Sequence, residues 1–321
     1  MEHVLYGERM GRRVGFVPAV LLLVVLSGLS ACSSLSDRVD MGVPGVEGRW
    51  VEVVGSGASL DAGLVRRALV AAPSDVVPRQ QNLLGVDEAE GAGGLPLVVA
   101  IHGLGGSPEV MAYLSGWPSV VATDRVVVVF PEGWEASFNA GECCGPAAEQ
   151  GVDDVSFLDD VIDATASLYP VDRDRVFMSG FSNGGMVTYR YLCEHADRLA
   201  GAASITGTNV DGCAPSAPVS FLQISGRIDE VVPPDGGPSV TPGIGPFGSA
   251  FTSTAAVAAA SGCAEERTRT FVEVEATRWS ECTDDVRVEY QLTPFGHEWP
   301  ATAEYSATVR QLEFWGLRPP P

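Results

Sequence analysis

The chain contains no lysine among its 321 residues, so all 20 of its basic residues are arginines. A lysine amine is required for Walker-type phosphate binding, for Schiff-base catalysis and for a Ser-Lys dyad, and the sequence excludes all three. Acidic residues number 41, and the formal net charge is −21. Such a surface repels nucleic acid and anionic lipid headgroups, so we expect no nucleic-acid partner.

Metal-binding residues are also scarce. The chain has four histidines, and no two of its seven cysteines have the Cys-x-x-Cys spacing of many zinc sites. Six cysteines remain to pair if Cys32 is modified as argued below, and an even number in an exported protein favours disulfides. Zinc is the alternative interpretation. We predict neither a metal nor an organic cofactor.

The first 31 residues are typical of an export signal. A basic segment with three arginines precedes an apolar run over 14–29, which is short for a membrane span. The run ends in Leu-Ser-Ala-Cys, which resembles the bacterial lipobox, where the signal is cut before a cysteine that is then diacylated. We predict a signal peptide over 1–31 and a lipid on Cys32 that anchors the protein to a membrane of the cell envelope. The alternative is an ordinary signal peptide and a secreted protein.

Strand-like and helix-like segments alternate along the rest of the chain. Residues 32–48 include the lipidated cysteine and a tether rich in Ser, Gly and Pro, and 49–321 is expected to form one domain. The valine-rich runs at 97–101 and 125–130 are typical of buried parallel strands. The other predicted strands are 49–54, 66–71, 175–178, 202–205, 219–224 and 286–292, and the predicted helices are 155–168, 184–195, 253–260 and 303–315. This alternation predicts a doubly wound, mostly parallel α/β sheet.

A candidate nucleophile lies at residues 180–184, which read Gly-Phe-Ser-Asn-Gly. A predicted strand precedes this Gly-x-Ser-x-Gly spacing, and a predicted helix follows it. A sharp strand-to-helix turn crowds the positions two before and two after its central residue, and Gly180 and Gly184 are small enough for them. We predict a nucleophile elbow at Ser182. A glycine-rich turn that serves helix packing alone is the alternative.

The scarcity of histidine narrows the choice of a base. His3 leaves with the signal, and His195 lies 13 residues beyond Ser182, about 19 Å along the same predicted helix. His102 belongs to a glycine-rich loop, and we interpret it as a residue that shapes this loop, with a role as a second base as the alternative. His297 follows the last predicted strand and is the predicted general base.

The acid that orients this base is expected between the serine and the histidine in the sequence. Asp229 follows a predicted strand there, and Glu230 and Asp235 are its nearby alternatives. A carboxylate in this place holds the imidazole tautomer and stabilises the imidazolium.

Two backbone N–H groups are expected to stabilise an oxyanion. Asn183 follows the nucleophile and supplies one of them. The second is assigned to Leu104, in the loop His-Gly-Leu-Gly-Gly that follows the strand predicted at 97–101.

The order Ser182, Asp229, His297, with a His-Gly loop upstream, is that of α/β-hydrolases. More specifically, the chain resembles the polyhydroxybutyrate depolymerase-like esterases, which are related to the feruloyl and acetylxylan esterases of carbohydrate esterase family 1. The matching stretches are AIHGLGG (100–106), FPEGW (130–134), NAGECCGPA (139–147), GVDDVSFLDDVID (151–163), YPVDRDRVFMSGFSNGGMVTYR (169–190), ISGRIDEVVPPDGG (224–237) and GHEWP (296–300). The resemblance implies one α/β-hydrolase catalytic domain over 49–321, without a large lid, in which Ser182, Asp229 and His297 have the roles given above. It also implies an ester substrate, which includes polymers such as polyesters or plant cell-wall polysaccharide esters.

The resemblance also bears on substrate recognition. It implies that Trp299 lies beside the active site and faces the substrate, while a core tryptophan is the alternative. Two features depart from the family pattern: Phe295, where a glycine is more usual, and the Pro- and Gly-rich loop at 235–248. Both are expected near the substrate cleft, so the acyl group stays open among hydroxyalkanoate, ferulate and acetate.

We further predict two disulfides and leave one pair of cysteines unassigned. The predicted disulfides are Cys193–Cys213 and Cys263–Cys282. The adjacent Cys143 and Cys144 are left open, because neighbouring cysteines rarely bond to each other. Together these features predict an exported, lipid-anchored serine esterase. A peptidase of the same fold and a catalytically degenerate surface-binding lipoprotein are the alternatives.

Overall fold

The structure is a computed structural model that describes residues 35–56, 63–79, 94–271 and 273–319. Its centre is an 11-stranded sheet with the strand order β1-β2-β3-β5-β4-β6-β7-β8-β11-β10-β9. The strands are β1 Leu35–Val39, β2 Val46–Val54, β3 Val65–Pro73, β4 Leu95–Ile101, β5 Val127–Pro131, β6 Val171–Phe181, β7 Gly201–Ile205, β8 Phe221–Gly226, β9 Glu265–Phe271, β10 Val274–Ser280 and β11 Val288–Thr293. The α-helices are α1 Pro108–Ser115, α2 Pro118–Asp124, α3 Pro146–Glu149, α4 Asp154–Leu168, α5 Asn183–His195, α6 Ala250–Ala260 and α7 Ala307–Phe314.

The six central strands, from β5 to β11 in the sheet order, run parallel, and antiparallel strands flank them on both sides. Successive side chains of β4 enter two separate cores: Val99 packs with α4 and α5 on one face of the sheet, and Val98 packs with α1 and α7 on the other. A parallel strand covered on both faces needs an unbroken apolar run, which β4 has. The predicted doubly wound, mostly parallel sheet is confirmed.

The sheet also begins earlier in the chain than predicted. Residues 32–48 were expected to form a tether, but they contain β1 and the first residues of β2, and these two strands pair antiparallel. Val39 and Met41 pack against the core, which explains why this segment is held to the sheet. The boundary predicted between residues 48 and 49 is therefore not a boundary of the folded unit. The predicted signal at 1–31 and the lipid on Cys32 lie outside the described residues.

Strands β9 and β10, which the sequence analysis missed, have weak hydrophobic patterns. Strand β9 reads EERTRTF and is exposed over nearly its whole length, because it is the last strand of the sheet. Its hairpin partner β10 shows only a partial alternation of buried residues. Within the described ranges, no helix combines the length and the apolar character needed to cross a membrane.

Candidate active site

The Gly-x-Ser-x-Gly stretch forms the turn between β6 and α5. Ser182 has φ 54° and ψ −118°, a backbone conformation that non-glycine residues rarely adopt. A Cβ on Gly180 would lie 2.0 Å from the carbonyl oxygen of Gly184, and a Cβ on Gly184 would lie 2.4 Å from that of Ile101. Both positions therefore require glycine, and the turn presents Ser182 at the carboxyl edge of the parallel strands.

Ser182, His297 and Asp229 form a continuous chain of hydrogen bonds. His297 Nε2 lies 2.9 Å from Ser182 Oγ, and His297 Nδ1 lies 2.8 Å from Asp229 Oδ2. Asp229 follows β8 and His297 follows β11, and these two strands are parallel neighbours. Because the carboxyl ends of parallel strands meet at one edge of the sheet, three residues far apart in the sequence come together there.

The carboxylate of Asp229 is fixed from two sides. Its Oδ2 faces His297, and its Oδ1 accepts hydrogen bonds from the backbone N–H groups of Val231 and Val232, at 2.9 and 2.8 Å. Asp229 is buried, whereas the two alternative acids, Glu230 and Asp235, are exposed to solvent. A buried carboxylate that accepts several hydrogen bonds is held in one orientation, as the orienting acid of a triad must be.

The loop that contains Leu104 passes directly beside the nucleophile. A Cβ on Gly103 would lie 3.2 Å from Ser182 Cβ, close enough that a larger residue would force its neighbours to shift, so glycine suits this approach. The loop is held by hydrogen bonds from Gly106 N–H to Gly103 O and from Gly105 N–H to Ala136 O.

Asn183, the other residue assigned to the oxyanion, is the first residue of α5. The first N–H groups of a helix have no partner within it. The two assigned N–H groups thus belong to different elements, with Leu104 next to Gly103 in the loop beside Ser182 and Asn183 at the start of α5, and their role at the oxyanion stays a prediction.

His102 lies under the same loop and takes no part in the chain of hydrogen bonds described above. It is 2% exposed, and its Nδ1 donates to Gly103 O at 2.8 Å while its Nε2 accepts from Gly133 N–H at 3.1 Å. Burial lowers the pKa of the His102 imidazole, so the neutral tautomer with its proton on Nδ1 satisfies both contacts. His195 lies at the far end of α5, where its Nδ1 is 3.3 Å from Asp159 Oδ2.

Trp299 is a core residue in this structure, so the expectation that it faces the substrate is wrong. It is 7% exposed, and its indole N–H donates to Thr308 Oγ1 at 3.1 Å, in the layer between the sheet and α7. A large apolar ring with a buried partner for its N–H is more stable inside than at a rim. The ring that does lie against the triad belongs to Phe181, whose centroid is 5.3 Å from that of His297. Its place next to Ser182 was the signal that the sequence analysis overlooked.

The cysteines form three disulfides in the structure. The predicted disulfides Cys193–Cys213 and Cys263–Cys282 are both present. The neighbours Cys143 and Cys144, which were left unassigned, also bond to each other. Among the described residues, no group of three or more His, Cys, Asp or Glu side chains is placed to hold a metal ion.

The chain is similar to proteins named as esterases and to one named as a polyhydroxyalkanoate depolymerase. No protein-family model matches the chain. It is 35% identical over 158 residues to NocK of Nocardia uniformis subsp. tsuyamanensis, which is named as an esterase, and this match covers 47% of the chain and 46% of that protein. It is 30% identical over 138 residues to the bifunctional acetylxylan esterase/xylanase XynS20E of Neocallimastix patriciarum, with 43% and 20% covered. It is 29% identical over 140 residues to poly(3-hydroxyalkanoate) depolymerase C of Paucimonas lemoignei, with 42% and 33% covered.

These matches span less than half the length of each relative. Among solved structures, the acetyl xylan esterase from Aspergillus awamori superposes with a TM-score of 0.58 at 16% identity, over 84% of this chain and 99% of that one. The α/β-hydrolase fold is therefore confirmed. The resemblance to feruloyl and acetylxylan esterases and to polyhydroxyalkanoate depolymerases is confirmed as well, and the chain is related to carboxylic ester hydrolases.

Proposed function

We propose that the protein is a serine esterase that hydrolyses carboxylic esters through a covalent acyl-enzyme. Ser182 is the nucleophile, His297 the general base and Asp229 the residue that orients it. The observation that carries this proposal is the chain of hydrogen bonds from Ser182 Oγ through His297 to Asp229, at 2.9 and 2.8 Å, on a strained turn whose glycines cannot be replaced. The esterase names of the relatives support it.

The geometry suits a two-step acyl transfer. Ser182 Oγ attacks the ester carbonyl carbon while His297 Nε2 takes the hydroxyl proton, and Asp229 stabilises the imidazolium. The carbonyl oxygen becomes an oxyanion that accepts hydrogen bonds from the N–H groups of Leu104 and Asn183. Collapse of this intermediate breaks the bond to the alcohol, which leaves with the proton from His297. Water, deprotonated by His297, then attacks the acyl-enzyme, and the acid is released as Ser182 recovers its proton.

The substrate is proposed to be an ester with an apolar part, including polymeric esters. Two exposed apolar side chains belong to the loops that carry the site: Leu104, in the loop beside Ser182, and Ile228, which precedes Asp229 and whose N–H donates to the carbonyl oxygen of Phe295 in the His297 loop. Both can contact an acyl chain or an aromatic acid without a lid. Relatives named as acetylxylan and feruloyl esterases and as a poly(3-hydroxyalkanoate) depolymerase support this class, without selecting one acyl group.

Export and lipid anchoring are part of the same proposal. The signal-like residues 1–31 and the Leu-Ser-Ala-Cys sequence that ends at Cys32 support a lipoprotein of the cell envelope. Three disulfides suit an oxidising compartment outside the cytoplasm. Replacement of Cys32 by Ser should abolish incorporation of a labelled fatty acid and move the protein from the membrane fraction to the soluble fraction. An unchanged distribution would refute the anchor and leave the triad unaffected.

The first test of the esterase proposal is intact mass of the chain from residue 33 onward after exposure to a fluorophosphonate. We expect one adduct, absent in Ser182→Ala and retained in Ser119→Ala, which changes an exposed serine remote from the turn. The same preparations are then assayed with hydroxyalkanoate, feruloyl, acetyl and peptide substrates, which separates an esterase from a peptidase. A folded protein that forms no adduct would refute the proposal and favour a binding lipoprotein.

A further inference from the structure

A loop over residues 137–145 packs against the side chain of Asn183. Asn183 Oδ1 accepts a hydrogen bond from Phe138 N–H at 2.8 Å, and Asn183 Nδ2 donates to Phe138 O at 2.8 Å. Asn183 is 1% exposed, so these bonds are shielded from water. The loop therefore holds the side chain of Asn183, the residue whose backbone N–H is assigned to the oxyanion.

The disulfide between Cys143 and Cys144 lies in the same loop. Cys143 and Cys144 are 5% and 7% exposed, and Asn183 Nδ2 lies 3.7 Å from Cys144 Sγ. Ala140 N–H donates to Cys143 O at 2.8 Å, which closes the loop just before the disulfide. One sulfur atom thus contacts the residue that follows the nucleophile.

The residue after the disulfide contacts the other side of the site. A Cβ on Gly145 would lie 2.7 Å from Leu104 Cδ1 and 3.2 Å from Ser137 Cβ, so the backbone of Gly145 packs against Leu104. Gly145 has φ +75°, a conformation that favours glycine. The segment that contains the disulfide therefore contacts both residues whose N–H groups are assigned to the oxyanion. Cys144 contacts Asn183, and Gly145 contacts Leu104.

The first half of the loop has anchors that do not depend on the disulfide. Asn139 N–H donates to Asp154 Oδ2 at 2.6 Å, Asn139 Nδ2 donates to Val152 O at 2.8 Å, and Arg190 Nη1 donates to Asn139 O at 3.1 Å. These bonds tie the loop to the start of α4 and to the middle of α5. A change at the disulfide is therefore expected to move residues 142–145 locally and to leave the fold intact.

We propose that the Cys143–Cys144 disulfide is a positioning element of the active site, which holds Asn183 and Leu104 so that their N–H groups converge on the oxyanion. This inference rests on the proposed esterase function. The two sulfur atoms of separate thiols must lie a van der Waals distance apart, whereas the sulfur atoms of a disulfide lie a bond length apart. A close-packed interior has no space for this additional separation. Without the bond the loop must shift, and small displacements of oxyanion donors are costly to the rate.

Reduction by a dithiol such as dithiothreitol tests this inference on the wild-type protein. The disulfide takes up two electrons and two protons and yields two thiols, while the dithiol is oxidised to its own disulfide. We expect kcat to fall about tenfold to hundredfold. This decrease is smaller than the roughly thousandfold loss of kcat that removal of a whole oxyanion donor can cause. KM should change less than about threefold. Peptide mapping identifies the disulfide that was reduced, and reoxidation should restore kcat.

A pair of double variants provides the matched control. Cys143→Ala with Cys144→Ala removes both the bond and the sulfur that contacts Asn183 Nδ2, so it should also lower kcat, while Cys193→Ala with Cys213→Ala removes a disulfide at the far end of α5 and should leave kcat within about twofold. Circular dichroism of both pairs checks that each is folded. Equal kcat in the oxidised and reduced wild type, with the reduced bond assigned to Cys143–Cys144, would overturn the inference.

A second readout does not depend on activity. In the Ser182→Ala background, the backbone amide resonances of Asn183 and Leu104 should shift when Cys143 and Cys144 are reduced and return on reoxidation. Unchanged resonances would refute the positioning role even if the rate changed for another reason. If the oxidised wild type hydrolyses no ester, the proposed function fails, while these amide shifts still decide whether the disulfide positions the two residues.

Discussion

Replacing Asp229 by Asn tests the triad with almost no change in shape. The two backbone N–H groups of Val231 and Val232 point at Oδ1 of this side chain, at 2.9 and 2.8 Å. In Asp229→Asn they retain an acceptor only if the amide oxygen takes the place of Oδ1. The amide NH₂ group then faces His297 Nδ1 and donates to it, so the imidazole proton moves to Nε2. In this tautomer His297 cannot accept the proton of Ser182.

The structure sets the size of the effect. Flipping the amide would restore the productive tautomer, but it would place NH₂ against two backbone N–H groups and lose both hydrogen bonds, at a cost of about 3 kcal/mol. Fewer than about 1% of molecules would then be productive. Loss of the carboxylate charge beside the imidazolium adds to this, and the total expected decrease in kcat is about 10⁴-fold, equivalent to about 5.5 kcal/mol of transition-state stabilisation.

The assay is kcat and KM on a soluble chromogenic ester, with thermal unfolding as a check on the fold. Glu230→Gln is the matched control, because it removes a neighbouring exposed carboxylate and should change kcat less than about twofold. The midpoint of unfolding should stay within a few degrees in both variants. A decrease of less than tenfold in Asp229→Asn would refute the assignment of this residue and the argument from its two backbone donors.

Three further predictions concern stability. Gly184→Ala should give no stable native protein, because its Cβ would lie 2.4 Å from a carbonyl oxygen at the end of β4; soluble protein with a wild-type midpoint of thermal unfolding would contradict this. Burial lowers the pKa of His102 in the folded chain, whereas in the unfolded chain this imidazole has its ordinary pKa of about 6.5. Below that pH the unfolded chain therefore binds a proton at His102 that the folded chain does not bind. The free energy of unfolding should fall as the pH decreases below about 6.5. Urea titrations at several pH values should show a smaller slope in His102→Gln, and an equal slope would contradict the assignment. Arg66→Met removes a buried cation 2.7 Å from the buried Asp154 and should lower the free energy of unfolding by about 3–5 kcal/mol, against less than about 1 kcal/mol for the exposed Arg67→Met.

The elements that were predicted correctly have strong local signals. The apolar run of β4 and the glycines around Ser182 reflect constraints that act within a few residues, namely burial on both faces and crowding in a sharp turn. Strand β9 has no such signal, because a strand at the edge of a sheet is stabilised by backbone pairing with β10 and not by burial of its side chains. Strand β1 was missed for the same reason: its partner in the sheet is β2, and its sequence is mostly polar.

The sequence by itself determined the fold class and the residues proposed as nucleophile, acid and base, because each of them follows a strand and the carboxyl ends of parallel strands converge. Only the tertiary structure decided which way the other side chains point. It placed Trp299 in the core and Phe181 against His297, and it brought Cys143–Cys144 to the side chain of Asn183. Those outcomes depend on contacts between segments distant in the chain, where packing and the pairing of buried polar groups select one arrangement among several that the local sequence permits.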